Sequence, residues 1–272
     1  MSGADETNLS AQIIRAVART LGEGALAALA TVVEAPRGVG AKILFAENGG
    51  RTGTTGDKAL DDALARFAHE FLASRAEART FSVEEFAPAL EQWRGVRALF
   101  ERIEPEPHVV VCGAGHVGAA LARLSSAVGY RVTLVDDRED FVARARFPEQ
   151  SIELVAAPDW TGALRRVLGK GRGVYAAVVT RGHNEDEECM RAVLGVHPEY
   201  VGMIGSRRRT NIVLARLRDA GFDEEALNQV RAPIGLDLGA VSPEEVALAI
   251  LAEIVAEHRG GTGRPLSAWR RE

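Results

Sequence analysis

The sequence predicts an α/β fold: a C-terminal Rossmann-like parallel sheet with helices on both faces, plus a smaller N-terminal α+β domain. Three observations predict it. Apolar strands alternate with amphipathic helical stretches from residue 108 onward. The first strand, Val109-Val110-Val111, runs into Gly113-Ala114-Gly115-His116-Val117-Gly118, a glycine loop that opens a helix. A stiff, polar Glu104-Pro105-Glu106-Pro107 step separates this regular half from a less regular one. The expected domains are therefore 1–104 and 105–272.

In the first half, Ile13, Ile14, Val17, Ala18 and Leu21 recur at helical spacing within 11–21. The β-branched run 25–34 reads as a strand, Pro36, Gly38 and Gly40 as a turn, and 42–46 as the returning strand, closed by Asn48-Gly49-Gly50. Residues 57–74 form an amphipathic helix with Leu60, Leu64, Phe67, Phe71 and Leu72 inward, and 96–103 one more strand. In the second half, strands are expected at 131–135, 152–155, 174–180 and 200–204. Helices are expected at 117–128, 159–168, 185–194 and 207–220. Ser242-Pro243-Glu244-Glu245 is a helix start, with a capping hydroxyl, proline at the first helical position and acids at the positive dipole end. That helix ends at Gly260-Gly261, and a loose tail follows. Its apolar residues, Val246, Leu248, Ile250, Leu251, Ile254 and Val255, suit either core or a dimer face.

Composition excludes several classes. A chain of 272 residues with 46% hydrophobic and 26% charged residues reads as soluble and globular. A net charge of −5 offers no global basic field for nucleic acid or an anionic membrane. Two cysteines, Cys112 and Cys189, are too few for a disulfide framework or a four-cysteine metal site, and both are expected in the core. Trp93, Trp160 and Trp269 are expected as core or cap residues. The first ten residues hold no apolar signal-peptide core and no apolar run is long enough to span a bilayer, so a cytoplasmic protein is expected.

A phosphate approaching a helix N-terminus needs bare backbone N–H groups. Gly113 permits the tight turn, Gly115 the close approach and Gly118 the close helix–strand packing. Asp136, at the end of the next strand, stands where a carboxylate binds ribose hydroxyls. His116 in the helix's first turn is either a ligand contact or packs against the sheet edge. Other loops leave the same sheet edge. Thr180 to Asp186 brings Arg181 and His183; Gly205 to Arg209 brings Ser206, Arg207 and a basic cluster, part of which is a solvated helix face; Pro233 to Ala240 brings Asp237. His116, His183 and Asp186 suit zinc by type, but their spacing gives no support, and no metal site is assigned.

Taken together, "GAGHVGAALARLSSAVGYRVTLVDDRED", "RFP" at 146–148, "TRGHNEDE" at 180–187, "YVGMIGSRRR" at 200–209 and "APIGLDLGAVSPEEVALAILAEIVAEHRGG" at 232–261 resemble the xanthine dehydrogenase accessory (XdhC/CoxI) family. "VVEAPRGVGAKILF" at 32–45 resembles that family's N-terminal strand–turn–strand. Glu34-Ala35 stands where a Gly-Ser pair is usual, and Gly53-Thr54-Thr55-Gly56-Asp57 replaces a glycine run followed by glutamate. The N-terminal cysteine segment of many relatives is also absent.

The resemblance implies a cofactor-binding chaperone rather than an enzyme. Such a chaperone binds molybdenum cofactor, as molybdopterin or its dinucleotide form, and supports its sulfuration and its insertion into a xanthine dehydrogenase-type molybdenum hydroxylase. The implied partners are a cysteine desulfurase and the apo molybdenum hydroxylase subunit, with a homodimer possible and neither nucleic acid nor membrane involved. The implied binding residues are Gly113, Gly115 and Gly118 on phosphate and Asp136 on a ribose or pterin donor. His116, Arg181 and His183 would face the reactive end, Ser206 and Arg207 a second phosphate, and Arg37 and Lys42 would close the site from the N-terminal domain. Two alternatives stay open: an NAD(P)-binding oxidoreductase of Rossmann type, and a protein–protein adaptor that uses the fold as a scaffold.

Overall fold

The computed structural model describes residues 3–74 and 76–267; side chains of residues 3–8 and 183 lie outside that description, as do Trp269 and the end of the expected tail. The chain divides into two compact units, 1–105 and 106–272.

The first unit runs α1 (Gly3–Gly22), β1 (Ala27–Glu34), β2 (Lys42–Ala46), β3 (Arg51–Gly53), α2 (Lys58–Ala73), β4 (Ala78–Ser82), the single turn α3 (Val83–Phe86) and β5 (Arg97–Ile103). Its sheet is antiparallel in the order β3-β2-β1-β5-β4. The two-residue period of β1 divides its side chains between two helices. Ala27 packs with Ile13 and Ala16 of α1, while Ala28, Ala30 and Val32 pack with Leu60, Leu64 and Phe71 of α2. Helix α2 starts at Asp57, whose carboxylate accepts the Leu60 N–H at 2.9 Å. The helix at the chain start is longer than its apolar spacing indicated, and β3, β4 and α3 are additions to the expected elements.

The second unit continues with β6 (His108–Cys112), α4 (His116–Ala127), β7 (Arg131–Asp136), β8 (Ile152–Ala156), α5 (Trp160–Leu168), β9 (Val174–Val178), α6 (His183–Leu194), β10 (Tyr200–Met203), α7 (Arg207–Asp219), α8 (Glu224–Gln229) and α9 (Pro243–Arg259). The five strands are parallel, in the order β10-β9-β6-β7-β8. This is the Rossmann order, with the first strand of the unit in the middle and the chain reversing direction across it. Strand β6 is buried along its whole length. Val109 and Val111 face α4 and α9, and Val110 and Cys112 face α5, α6 and α7. Ile250, Leu251 and Ile254 of α9 are core residues against α4, while Leu248 and Val255 stay exposed. Among the described residues no helix is long and apolar enough to cross a membrane. Trp93 and Trp160 are both buried.

Candidate functional site

In the second unit a cleft of about 410 Å³ opens at the carboxyl ends of the strands. Ligands bind in this position in open parallel sheets, at the point where strand order reverses. Its floor is the glycine loop. Gly113 has φ +115°, and a Cβ there would meet the Val179 carbonyl oxygen at 2.7 Å. A Cβ on Gly118 would lie 1.8 Å from the Gly113 oxygen, so this glycine lets α4 close onto the strand. Gly115 differs: its φ is −66°, which any residue adopts, and a Cβ there would meet nothing within 4 Å. The protein's own packing does not demand glycine at 115. Gly115 is the N-cap residue of α4 and offers no capping side chain, whereas Asp57, Asp159, Ser206, Asp223 and Ser242 cap α2, α5, α7, α8 and α9.

Asp136 is placed at the cleft as its spacing indicated, but its carboxylate is engaged from within. One oxygen accepts the Ala114 N–H at 2.6 Å, and the Arg138 guanidinium grips both oxygens at 2.8 and 2.9 Å. The Arg138 N–H adds a bond at 3.0 Å, and the side chain is only 2% exposed. Burial pushes the Asp136 carboxyl up. The Arg138 guanidinium and the two backbone N–H groups outweigh that and hold it below the ordinary carboxylate range. Asp136 therefore anchors the glycine loop to the end of β7. Arg138 is fixed in turn by stacking over Phe141, 3.4 Å from the ring centroid.

The opposite wall comes from the loops after β9 and β10. Thr180 donates to the fully buried carboxylate of Asp186, and Arg209 Nε donates to the same carboxylate at 2.6 Å. This network joins the N-terminal ends of α6 and α7. Of the basic cluster it is Arg209 that lines the cleft; Arg207 and Arg208 are exposed. Ser206 spends its hydroxyl as a cap, accepting the Arg209 N–H at 3.3 Å. The sequence pattern could not separate the three arginines, because the partner that selects Arg209 lies 23 residues away.

Arg181 reaches across the mouth to Asp137 in a two-pronged ion pair, 3.0 and 2.8 Å. Its guanidinium is held above its ordinary pKa chiefly by that hydrogen-bonded carboxylate. His116 lines the cleft with an exposed side chain. His183 begins α6, and its side chain lies outside the described residues. The loop 233–240 contributes none of the described lining residues; instead the Gly235 N–H binds Glu253 at 2.8 Å. Arg37 is exposed in the first unit, where Lys42 donates to Thr31 Oγ1 at 2.9 Å. Asp137 and Arg138 also line the cleft and were not distinguished by their charge run, whereas Glu185 and Gly205 lie in the two loops expected at this edge. Among the described residues no group of histidine, cysteine and acid side chains is arranged to hold a metal.

Residues 109–254 match the XdhC Rossmann domain, and residues 20–84 match the XdhC and CoxI family. The chain belongs to the XdhC/CoxI family. The loops described above are thus those of an XdhC Rossmann domain. Among curated relatives, a probable xanthine dehydrogenase subunit of Bacillus subtilis (strain 168) is 27% identical over 155 residues, covering 57% of this chain and 44% of that protein. The uncharacterized protein YqeB of Escherichia coli (strain K12) is 29% identical over 157 residues, 58% of this chain and 28% of its own. The molybdenum cofactor insertion chaperone PaoD of the same organism is 32% identical over 73 residues, 27% of this chain and 23% of its own. The matched segment thus spans less than half the length of each of these proteins. A xanthine dehydrogenase from Bacillus halodurans shares the fold, with a TM-score of 0.50 at 16% identity over 94% of this chain and 98% of that one.

Proposed function

We propose that this XdhC/CoxI protein is an accessory factor that binds molybdenum cofactor as cargo and supports its insertion into a xanthine dehydrogenase-type molybdenum hydroxylase. The observation that carries the reading is Gly115. Gly113 and Gly118 answer to the protein's own packing, while the backbone at 115 is left bare at an uncapped helix N-terminus facing a cleft. Bare N–H groups at the positive end of a helix suit a phosphate, and molybdopterin and its dinucleotide form both carry one. Arg181 and Arg209 place guanidinium donors on the same wall. The relatives named as a molybdenum cofactor insertion chaperone and as a xanthine dehydrogenase subunit favour this cargo over other phosphate compounds.

Both cysteines have no exposed surface. Burial pushes the Cys189 thiol far above its ordinary pKa, with the Cys112 thiol beside it adding to the shift. Neither is suited to carry sulfur, so sulfuration of the cargo would draw on a separate cysteine desulfurase. The competing NAD(P) oxidoreductase reading needs Asp136 on a ribose diol, and here that carboxylate is spent on Ala114 and Arg138. To test the proposal, the full chain is purified anaerobically from hosts that do and do not make molybdenum cofactor, and bound pterin and molybdenum are quantified. Co-purification of both from the first host only is expected. Absence of both, together with normal activation of the hydroxylase in a strain lacking this protein, would overturn the proposal.

A further inference from the structure

We propose that Asp137 and Arg181 form an exchangeable ion pair across the phosphate cradle, in which Asp137 is the stand-in that an incoming phosphate displaces from Arg181. This deepens the reading above and rests on it. The strand order places β9, β6 and β7 side by side. Asp137 directly follows β7, Arg181 follows β9 by three residues, and the glycine loop leaves β6 between them. The pair therefore spans the mouth of the cleft over the loop that would take the phosphate.

The two aspartates at the end of β7 differ in their chief partners, with Arg138 Nε 2.8 Å from Asp136 and a looser 3.9 Å from Asp137. Asp136 is buried and held by Arg138, two residues on, and breaking such a pair strands a charge in the interior. Asp137 is paired with a residue 44 positions away, and the side chains of Asp137 and Arg181 are 26% and 47% exposed. An exposed pair contributes little stability and opens readily. The guanidinium fork fits a carboxylate and a phosphate with the same two-point geometry, so Arg181 can change partners without losing hydrogen bonds. Glu185, 3.5 Å from Arg181, keeps the side chain at the mouth when it lets go of Asp137. A neutral hydroxyl or sugar has no charge with which to displace Asp137. Asp137 thereby makes the cleft selective for strongly anionic groups.

The probe is inorganic diphosphate, titrated calorimetrically into the full chain at low salt, with D137N, R181Q and Gly115→Ala compared. D137N should bind about fivefold more tightly, the cost of an exposed ion pair no longer paid on binding. R181Q should bind at least about tenfold more weakly, as loss of a charge-assisted contact requires. A crystal structure of the complex should show Arg181 on the diphosphate and away from Asp137. Unchanged or weaker binding by D137N, or a complex in which the Asp137–Arg181 pair persists, would overturn the exchange. If diphosphate binds wild type and D137N equally and Gly115→Ala abolishes binding, the cradle stands and only the exchange falls. If neither wild type nor D137N binds diphosphate, the phosphate reading of the glycine loop falls and takes the exchange with it. Both side chains are partly exposed, and melting temperatures equal to wild type are the check that the variants fold.

Discussion

Two glycines three residues apart, changed to the same residue, should fail in different ways. In Gly118→Ala the new methyl group would sit 1.8 Å from the Gly113 carbonyl oxygen, which is backbone and has no rotamer to escape into. Helix α4 would have to retreat from the loop by more than an ångström. Overpacking of this kind costs about 3 kcal/mol. For a unit of this size that lowers the melting temperature by about 6–12 °C. In Gly115→Ala the methyl group enters open space from a backbone that alanine adopts without strain. Reduced freedom of the unfolded chain favours alanine by about 0.4–1 kcal/mol. Alanine's poorer standing as an N-cap takes back a similar amount. The melting temperature should stay within about 2 °C, a shift of well under 1 kcal/mol. Binding should respond in the opposite sense, because the methyl group stands between the N–H groups and the phosphate. Loss of even one charge-assisted bond weakens inorganic diphosphate by about tenfold or more. Differential scanning calorimetry of the three proteins, followed by diphosphate titration of those that remain folded, reads both effects. A Gly115→Ala protein that melts as low as Gly118→Ala would make Gly115 a packing residue. One that binds diphosphate like wild type would remove the helix N-terminus from the site.

Asp186→Asn should destabilise the second unit by about 3 kcal/mol, since it leaves the half-buried Arg209 guanidinium without its countercharge; chemical denaturation should show most of this loss recovered in D186N/R209M, and additive losses would refute the coupling. His108 is buried at the start of β6, with Nε2 2.8 Å from Thr133 Oγ1. Burial, aided by Arg131, lowers its pKa from 6.5 to about 4. The folded protein keeps this ring neutral while the unfolded chain protonates it, so its contribution is complete above about pH 6.5 and is lost as pH falls toward 4. The loss amounts to about 3 kcal/mol. The stability of His108→Gln should therefore fall less steeply than wild type between pH 6.5 and 4, and parallel pH profiles would show that His108 is not responsible.

How much was legible depended on whether an element's identity resides in its own residues. Strand β6 declares itself through three consecutive valines buried on both faces, and α2 through an apolar stripe between Asp57 and Ser74. Strands β3 and β4 do not. Arg51–Gly53 and Ala78–Ser82 are half-exposed edge segments whose strand character comes from pairing with β2 and β5. Helix α8, at six residues, is too short to show a period, although Asp223 and the acids after it were a readable start signal. In the site, the same distinction holds. The glycines were legible because their spacing between a strand and a helix start is itself the signal. Arg209 and Asp137 were not, because each is chosen by a partner on another loop, Asp186 in one case and Arg181 in the other.

Asp136 shows how the acid of a glycine-loop motif can be engaged from within the fold. An acid at the end of the second strand of a glycine-loop unit is read as a ribose ligand, and its distance in sequence is right. What spacing cannot convey is that Arg138 turns back onto it and that Ala114 donates to it from the glycine loop. The acid then holds the loop. The next residue, Asp137, lies half-buried at the mouth of the cleft as half of an ion pair with Arg181. Under the proposed reading the cleft offers a phosphate the bare helix N-terminus at Gly115, while the Asp136 carboxylate is already engaged. Of the two, only the helix N-terminus is needed to grip a phosphorylated pterin by its tail. The divergent first-unit loop follows the same logic. The hydroxyls of Thr54 and Thr55 and the Thr55 N–H all bind Asp61, at 2.6, 2.6 and 2.8 Å, so the polar groups that replaced a glycine run are satisfied by the loop's own helix. The first-unit substitutions T54A and T55A should therefore leave diphosphate affinity unchanged in the same titration that Gly115→Ala fails.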